Sequence, residues 1–276
     1  MTDVLVAYQG EAGAYSEDGA LALWPRESLL PLATIRKVFE AVEVGRADFG
    51  LAPLDNSQAG SINETYDLFL KHGLHLVGET VVRIDHCLLA LPGRSIDDLE
   101  EVISHPQAIA QCEEFLTAAG LRVRPEYDTA GSARRIAEEK LEATGAVASR
   151  RAAELYGLEI LADHIQTYPD NYTRFGALAR DPTPLGDPDK SSLVFGVGHV
   201  AGSLYRCLGE FAERHLNLAK LESRPRAGRV WEYVIYLDVE APAHAPAMID
   251  ALAGVSEHAT FTRLLGTYAS GLSTTR

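Results

Sequence analysis

The feature that most constrains this chain is an alternation of short apolar runs with helix-like segments over its first 180 residues, broken by a proline-rich stretch. Strands are predicted at Val4–Tyr8, Phe49–Ala52, Val102–Ile103, Ala146–Ala148 and Phe175–Ala179, and Leu74–Ala90 reads as two more. Helices fill the gaps. One starts at an N-cap on Ser16 and runs to Trp24, where Pro25 stops it. The next is capped by Thr34, buries Val38, Phe39 and Val42 on one face, and ends at Gly45. Ser61 to Glu64 has capping-box spacing and opens a helix that ends at Gly73. Further helices start at Ser95, include Leu99, and cover Pro106–Ala119 and Ala130–Lys140; Ser149 caps a last one ending at Gly157. Such alternation predicts parallel sheets with helices on both faces. Two series of this kind predict two lobes around a cleft, a usual place for a small-molecule site.

Arg180–Lys190 holds three prolines and a glycine, a linker composition. Beyond it the pattern changes. Ser192–Val197 reads as a strand, and a helix from Ser203 turns Leu204, Leu208 and Phe211 inward. Leu216–Leu221 is a strand, 226–229 a turn, and Trp231, Tyr233, Ile235 and Leu237 alternate along another strand. Ala245–Leu252 is helical and Thr260–Tyr268 is the last strand. The order βαββαβ is the ferredoxin-like plan.

The formal net charge of −14 would repel a polyanion, so no nucleic-acid partner is expected. If the substrate is a small dianion, arginines and helix N-termini must supply local positive potential. No apolar run reaches the roughly 18 residues of a membrane span, and MTDVLVAYQG does not read as a signal peptide. Cys87, Cys112 and Cys207 lie far apart and outside any CxxC, which argues against structural zinc and a disulfide framework. The expected location is the reducing cytoplasm. No HxH or HExxH occurs, and His72 and His75 read as surface residues beside a helix end. No metal site is expected.

Four junctions concentrate small and polar residues. In Asn171-Tyr172-Thr173-Arg174-Phe175 a hydroxyl, a guanidinium and a ring meet at the mouth of a strand; alternation sends Thr173 and Phe175 one way and Arg174 the other. The plain alternative is a surface arginine beside a buried phenylalanine. Ala52 to Ser61 joins a strand to a helix and includes Asn56, Ser57 and Gly60; such a turn either presents N–H groups to an anion or simply connects the elements. Ser104, His105, Pro106 and Gln107 form a third junction, with Gln111 one turn beyond Gln107 on the same face. Asp128 to Ser132 is the fourth, where small residues let a ligand approach the backbone. All four sit where α/β folds bind ligands, beyond the carboxyl ends of strands.

These segments resemble the motifs of prephenate dehydratases: YQGEAGAYSE, PLDNSQAG, SHPQAIAQC, DTAGSAR and NYTRF, in order from Tyr8 to Phe175. AGSLYRCLGEFAERHLNLAKLESRP, WEYVIYLD and LLGTY are similar to the ACT regulatory domain that usually follows. The resemblance implies a lyase converting prephenate to phenylpyruvate, carbon dioxide and water, with no cofactor, because aromatisation drives the reaction. It implies a catalytic domain over 1–181, with two periplasmic-binding-protein-like lobes (about 1–78 with 165–181, and 79–164), and a ferredoxin-like ACT domain over 190–276. Thr173 is then expected at the leaving hydroxyl, Arg174 as a carboxylate clamp, and Phe175 against the ring. Asn56, Ser57, Gly60, Ser104, Gln107, Gln111, Asp128 and Thr129 carry over as substrate contacts; Asp128 either orients a donor or is itself the acid. Phenylalanine is the implied effector, bound by Gly202, Ser203 and Leu204 at a helix N-terminus together with Asn217 and Leu218, and by Glu222, Ser223, Arg224 and Pro225 across the subunit interface of a homodimer or homotetramer. The chain departs from the pattern at Glu11 (usually proline), Ala14 (threonine), Asp55 (glutamate) and Ser203 (alanine). Two other readings stay open: an arogenate dehydratase, and a non-catalytic sensor of amino acids.

Overall fold

The computed structural model describes residues 4–225 and 232–271. The expected turn at 226–229 and Trp231 lie outside them. In chain order the elements are β1 (Leu5–Gln9), α1 (Tyr15–Leu23), β2 (Ser28–Leu32), α2 (Ile35–Glu43), β3 (Phe49–Asn56), β4 (Gly60–Ser61), α3 (Asn63–Lys71), β5 (His75–Arg83), β6 (Cys87–Ala90), β7 (Glu101–Ser104), α4 (Pro106–Gln111), α5 (Glu113–Ala118), β8 (Arg122–Pro125), α6 (Thr129–Glu139), β9 (Thr144–Ala148), α7 (Arg150–Tyr156), β10 (Glu159–Ala162), β11 (Tyr172–Ala179), β12 (Lys190–Val197), α8 (Ser203–Ala212), β13 (Leu218–Pro225), β14 (Tyr233–Val239), α9 (Pro246–His258) and β15 (Phe261–Tyr268). Among the described residues no helix is long and apolar enough to cross a membrane.

Three sheets result. The first runs β2-β1-β3-β11-β5, with β4 paired to β3. The second runs β10-β6-β9-β7-β8 and the third β13-β14-β12-β15. By contacts, residues 4–68 with 80–175 form one compact unit, and 69–79 with 176–271 another. The second sheet belongs to the first unit and is inserted between β5 and β11, which are neighbours in the first sheet. Its entry and exit strands of chain are tied together: the Ile84 N–H donates to the Asn171 carbonyl at 2.8 Å.

Strand periodicity explains the second sheet's packing. Cys87, Leu89, Ile103, Ala146 and Ala148 point to one face, where they meet Ala130, Ala133 and Ile136 of α6 and Ala152 and Ala153 of α7. Leu88, Ala90, Val102 and Val147 point to the other, against Ala108 of α4, Cys112 between α4 and α5, and Leu116 of α5. Covering both faces requires strands that are apolar throughout, and β9 is buried at every position.

The expectation of parallel sheets holds only in part. β7 pairs in parallel with β8 and β9, but β6 is antiparallel to β9 and β10. The strands β2, β8 and β10 were not anticipated. All three are edge strands, and Pro31 in β2 is tolerated there because an edge strand need not donate on its outer side. The helix expected over Pro106–Ala119 is broken at Cys112, whose φ of −111° and ψ of 15° leave the helical region. The segment after Ser95 is a single 3-10 turn at Ile96–Asp98 that excludes Leu99. Ser16 is no N-cap: it lies inside α1, whose N-cap is Ala14, and its hydroxyl donates to the Gln9 carbonyl. Ser61 sits in β4 and donates to Asp55 Oδ1 at 2.7 Å, and α3 starts two residues later.

The second unit carries βαββαβ from β12 to β15, with every pair antiparallel. Leu193, Phe195, Val197, Ile235, Leu237 and Val239 alternate onto one face, which α8 covers with Cys207 and Phe211 and α9 with Met248, Ala251 and Val255. Leu204 and Leu208 flank this core half-buried. The proline-rich stretch is anchored rather than loose, since the Leu185 N–H donates to the Val77 carbonyl at 2.7 Å.

Candidate active site

A cavity of about 460 Å³ lies in the first unit. Five helices begin on its wall: α1 at Ala14–Ser16, α2 at Thr34–Ile35, α3 at Ile62–Glu64, α4 at His105–Gln107 and α6 at Asp128–Thr129. β3 adds Pro53 and Asn56, β11 adds Thr173 and Phe175, and the β5–β6 connection adds Ile84 and His86. No lysine or arginine is among the described residues of this lining. Helix N-termini, whose first N–H groups have no intrahelical acceptor, contribute positive potential at the wall. Among the described residues no cluster of three or more His, Cys, Asp or Glu could hold a metal ion.

The orientation of Thr173 follows from Asn56. The Asn56 Oδ1 accepts the backbone N–H groups of Gln58 (3.0 Å) and Ala59 (2.9 Å), which fixes which end of the amide is oxygen. Its Nδ2 then faces Asn171 Oδ1 at 2.8 Å and Thr173 Oγ1 at 3.0 Å. Thr173 thus accepts from the protein, and its own hydroxyl hydrogen remains available on the cavity side. Thr173 is 8% exposed, so water does not compete freely for it.

Arg174 faces the other way, as strand alternation requires. Its Nε and Nη2 donate to Asp55 Oδ2 at 2.9 and 2.6 Å, and Nη2 also donates to Tyr66 Oη at 3.3 Å. It is not part of the cavity lining. The guanidinium of Arg174, expected as a carboxylate clamp, here holds Asp55, the neighbour of Asn56 at the end of β3. Ser57, Gly60 and Ser104 also stand outside the lining. Ser57 Oγ donates to the Asp170 carbonyl at 3.0 Å, Gly60 takes a φ of 77° in the hairpin, and the fully buried Ser104 Oγ donates to the Val147 carbonyl at 2.6 Å. These three shape the loops behind the wall. Asn56, Gln107, Gln111, Asp128, Thr129, Thr173 and Phe175 do come together in it.

Asp128 caps α6, accepting the Gly131 N–H at 2.7 Å. Burial raises its pKa above the usual carboxylate value, the Glu11 charge adds to the rise, and the bond from Gly131 opposes it. Burial likewise depresses His105, which precedes α4 and accepts the Gln107 N–H at 3.2 Å.

Three contributors escaped the sequence reading. His86 is 2% exposed, with Nε2 2.9 Å from Gln111 Oε1 and Nδ1 3.1 Å from Tyr15 Oη. Tyr15 Oη donates to the Asp85 carbonyl at 2.7 Å. Glu64, on α3, also faces the cavity. The only signal was a lone histidine between two apolar runs, which spacing does not distinguish from a core residue. The loop before α1 is gripped by the inserted lobe: Arg134 takes Glu11 at 2.5 and 2.9 Å, Ser149 Oγ donates to the Gly13 carbonyl and Tyr156 Oη to the Ala12 carbonyl.

A second cavity, of about 550 Å³, lies in the other unit between the loop 197–205, Ser223, Tyr233 and Ile235. Gly202, Ser203 and Leu204 line it, and Gly202 enters α8 with a φ of 81°, where a side chain would be strained. Of the other expected effector contacts only Ser223 lines it; Asn217 instead donates to Glu240 Oε2 at 2.6 Å, and Glu222 pairs with Lys220 at 3.3 Å. Leu218, Arg224 and Pro225 lie on β13 outside the lining.

Comparison with known proteins places these features in context. A family model described as prephenate dehydratase matches residues 6–183. A curated relative from Arabidopsis thaliana, arogenate dehydratase/prephenate dehydratase 2, chloroplastic, is 45% identical over 276 residues, covering 96% of this chain and 72% of that protein. Among solved structures, the prephenate dehydratase of Arthrobacter aurescens in complex with L-Phe is 28% identical with a TM-score of 0.87, covering 96% of this chain and 90% of that one. GqqA, described as a novel type of quorum quenching acylase, is 35% identical with a TM-score of 0.88, covering 97% and 98%.

Proposed function

Because the chain belongs to the prephenate dehydratase family, we propose that it eliminates water and carbon dioxide from prephenate to give phenylpyruvate, a step of phenylalanine biosynthesis. The reaction converts a dianion and one proton into a monoanion, carbon dioxide and water, and the ring gains aromaticity. That gain drives it without a redox or electron-sink cofactor. The protein must hold two carboxylates, assist departure of the ring hydroxyl and exclude competing water.

The observation that carries this reading is the buried Thr173 hydroxyl, turned into the cavity by the donor from Asn56. Thr173 donates to the departing hydroxyl. Phe175 packs against the ring. Helix N-termini and the amide of Gln111 receive the carboxylates, and Arg174 acts at one remove, through Asp55 and the Asn56 loop. Asp128, whose pKa is raised by burial, is the proton source. Incubation with prephenate, followed by the absorbance of phenylpyruvate, tests the activity; a folded protein that leaves prephenate unchanged sinks it.

A second substrate has specific support. Glu64 lines the cavity and no lysine or arginine does, a setting that accepts the ammonium group of arogenate. Rates on both compounds, measured side by side, decide the preference.

The division into a catalytic part over 1–181 and an ACT domain over 190–276 belongs to the same proposal, supported by the antiparallel βαββαβ unit. Phenylalanine is its proposed effector, seated on Gly202–Leu204 at the start of α8. Val200 and Tyr205, 68% and 80% exposed beside that cavity, support a homodimer or homotetramer in which a second chain covers it. The buried free cysteines Cys87, Cys112 and Cys207 support a reducing compartment; since the Arabidopsis relative is named chloroplastic, the proposal is not narrowed to the cytoplasm.

A further inference from the structure

We propose that His86 supplies the cavity's positive charge, taking up a solvent proton as a dianionic substrate enters and releasing it as the products leave. The inference rests on the dehydratase reading above, and it starts from counting protons. Three contacts meet at this ring: Nε2 with Gln111 Oε1, Nδ1 with Tyr15 Oη, and Tyr15 Oη with the Asp85 carbonyl. Gln111 is oriented by Asn56, because turning the amide over would bring its oxygen against Asn56 Oδ1, already committed to two N–H groups. Oε1 therefore faces His86 and requires a proton on Nε2.

Neither neutral tautomer serves all three contacts. With the proton on Nε2, the single hydrogen of Tyr15 must choose between Nδ1 and the Asp85 carbonyl. With the proton on Nδ1, two lone pairs face each other at 2.9 Å. The imidazolium fills every contact: Nε2–H to Gln111, Nδ1–H to Tyr15, and the tyrosine hydrogen to Asp85. The cost of that state is burial, which holds His86 below its ordinary pKa.

Other titratable groups leave the balance to the ligand. Tyr15, Glu64, His105, Tyr127 and Asp128 share the wall. The Asp85 carboxylate is engaged with Arg83 at 3.2 Å, His164 at 3.1 Å and Gln166 at 3.0 Å. Cys87 and Cys112 lie near Tyr15, with burial keeping both thiols up. A substrate carrying two carboxylates tips the ring toward its charged form, because opposite charges attract strongly where water is excluded. No fixed cation is then needed, and the cavity releases its charge with the product.

The test has two arms. In the full-length Thr173→Ala protein, histidine-detected NMR follows the His86 titration, assigned by the His86→Gln variant, without and with saturating prephenate. The midpoint should rise by about one pH unit or more; a midpoint that stays put while prephenate saturates other signals overturns the proposal. In the second arm kcat/KM for prephenate is measured from about pH 6 to about pH 9. With Asp128 also required in its acid form, kcat/KM of the natural protein should fall with rising pH more steeply than that of His86→Gln, by about tenfold per unit, and His86→Gln should show a higher KM. Identical slopes overturn the proposal while leaving the dehydratase reading intact. Absence of turnover by the natural protein overturns both.

Discussion

The two cavities differ in how completely their own chain finishes them. In the first, several polar side chains on the wall are held by the chain itself: Asn56 by its loop and by Thr173, Gln111 by His86, Asp128 by the start of α6. In the second, a single helix start and a strand end face Val200 and Tyr205, which stand largely in solvent. Chemistry requires groups held in place before the substrate arrives. Under the proposed regulatory reading of the second cavity, the second chain that completes it would also transmit the response.

The largest effect is expected at Thr173. Thr173→Ala should lower kcat by ~10²-fold or more with a small change in KM, as expected for one donor felt in the transition state. Near-normal turnover by a folded variant would mean the first cavity is not the prearranged one. Asp128→Asn should cost about 10²-fold in kcat while asparagine still caps α6. Its stability carries a sign. The folded pKa of Asp128 is raised, so its contribution is present at low pH and is lost as pH rises through the folded value. The variant should therefore melt higher than the natural protein at neutral pH, with the gain vanishing in acid; calorimetry across pH reads this.

Arg174→Met separates clamp from scaffold. Removing the Asp55 partner should raise KM about tenfold and cost ~1–3 kcal/mol of stability, because a half-buried carboxylate loses its hydrogen bonds. A clamp on substrate would change KM with no loss of stability in denaturant. The smallest effect is expected at the second cavity. Gly202→Ala should weaken phenylalanine binding about tenfold, or ~1.4 kcal/mol, through strain at a positive φ; isothermal calorimetry measures it.

Much of this was legible in residue order. Thr34 and Ser149 cap helices as their positions suggest, each accepting a backbone N–H from three residues on. The strand-to-helix junctions gave Asn56, Gln107, Gln111, Asp128 and Thr173 as residues that would meet. What stayed hidden depends on partners distant in sequence. Arg174 reads as a clamp until Asp55, 119 residues away, is seen to occupy it. Ser104 reads as a contact until its hydroxyl is seen to donate to the Val147 carbonyl. His86 looks like any core histidine until Tyr15 and Gln111 arrive from two other segments. The edge strands β8 and β10 carry too little apolar pattern to be seen alone, since their burial comes from one neighbour only.

The bond between Ile84 and Asn171 has a consequence for how such a molecule could arise and be taken apart. The chain leaves the first sheet and returns to it through adjoining doors, so residues 85–170 form a cassette whose ends already touch. Excised and expressed alone, that cassette should fold, because it carries its own sheet with both faces covered. The remainder, rejoined by a short bridge, should keep β5 beside β11 and lose the far wall of the cavity with everything that wall contributes.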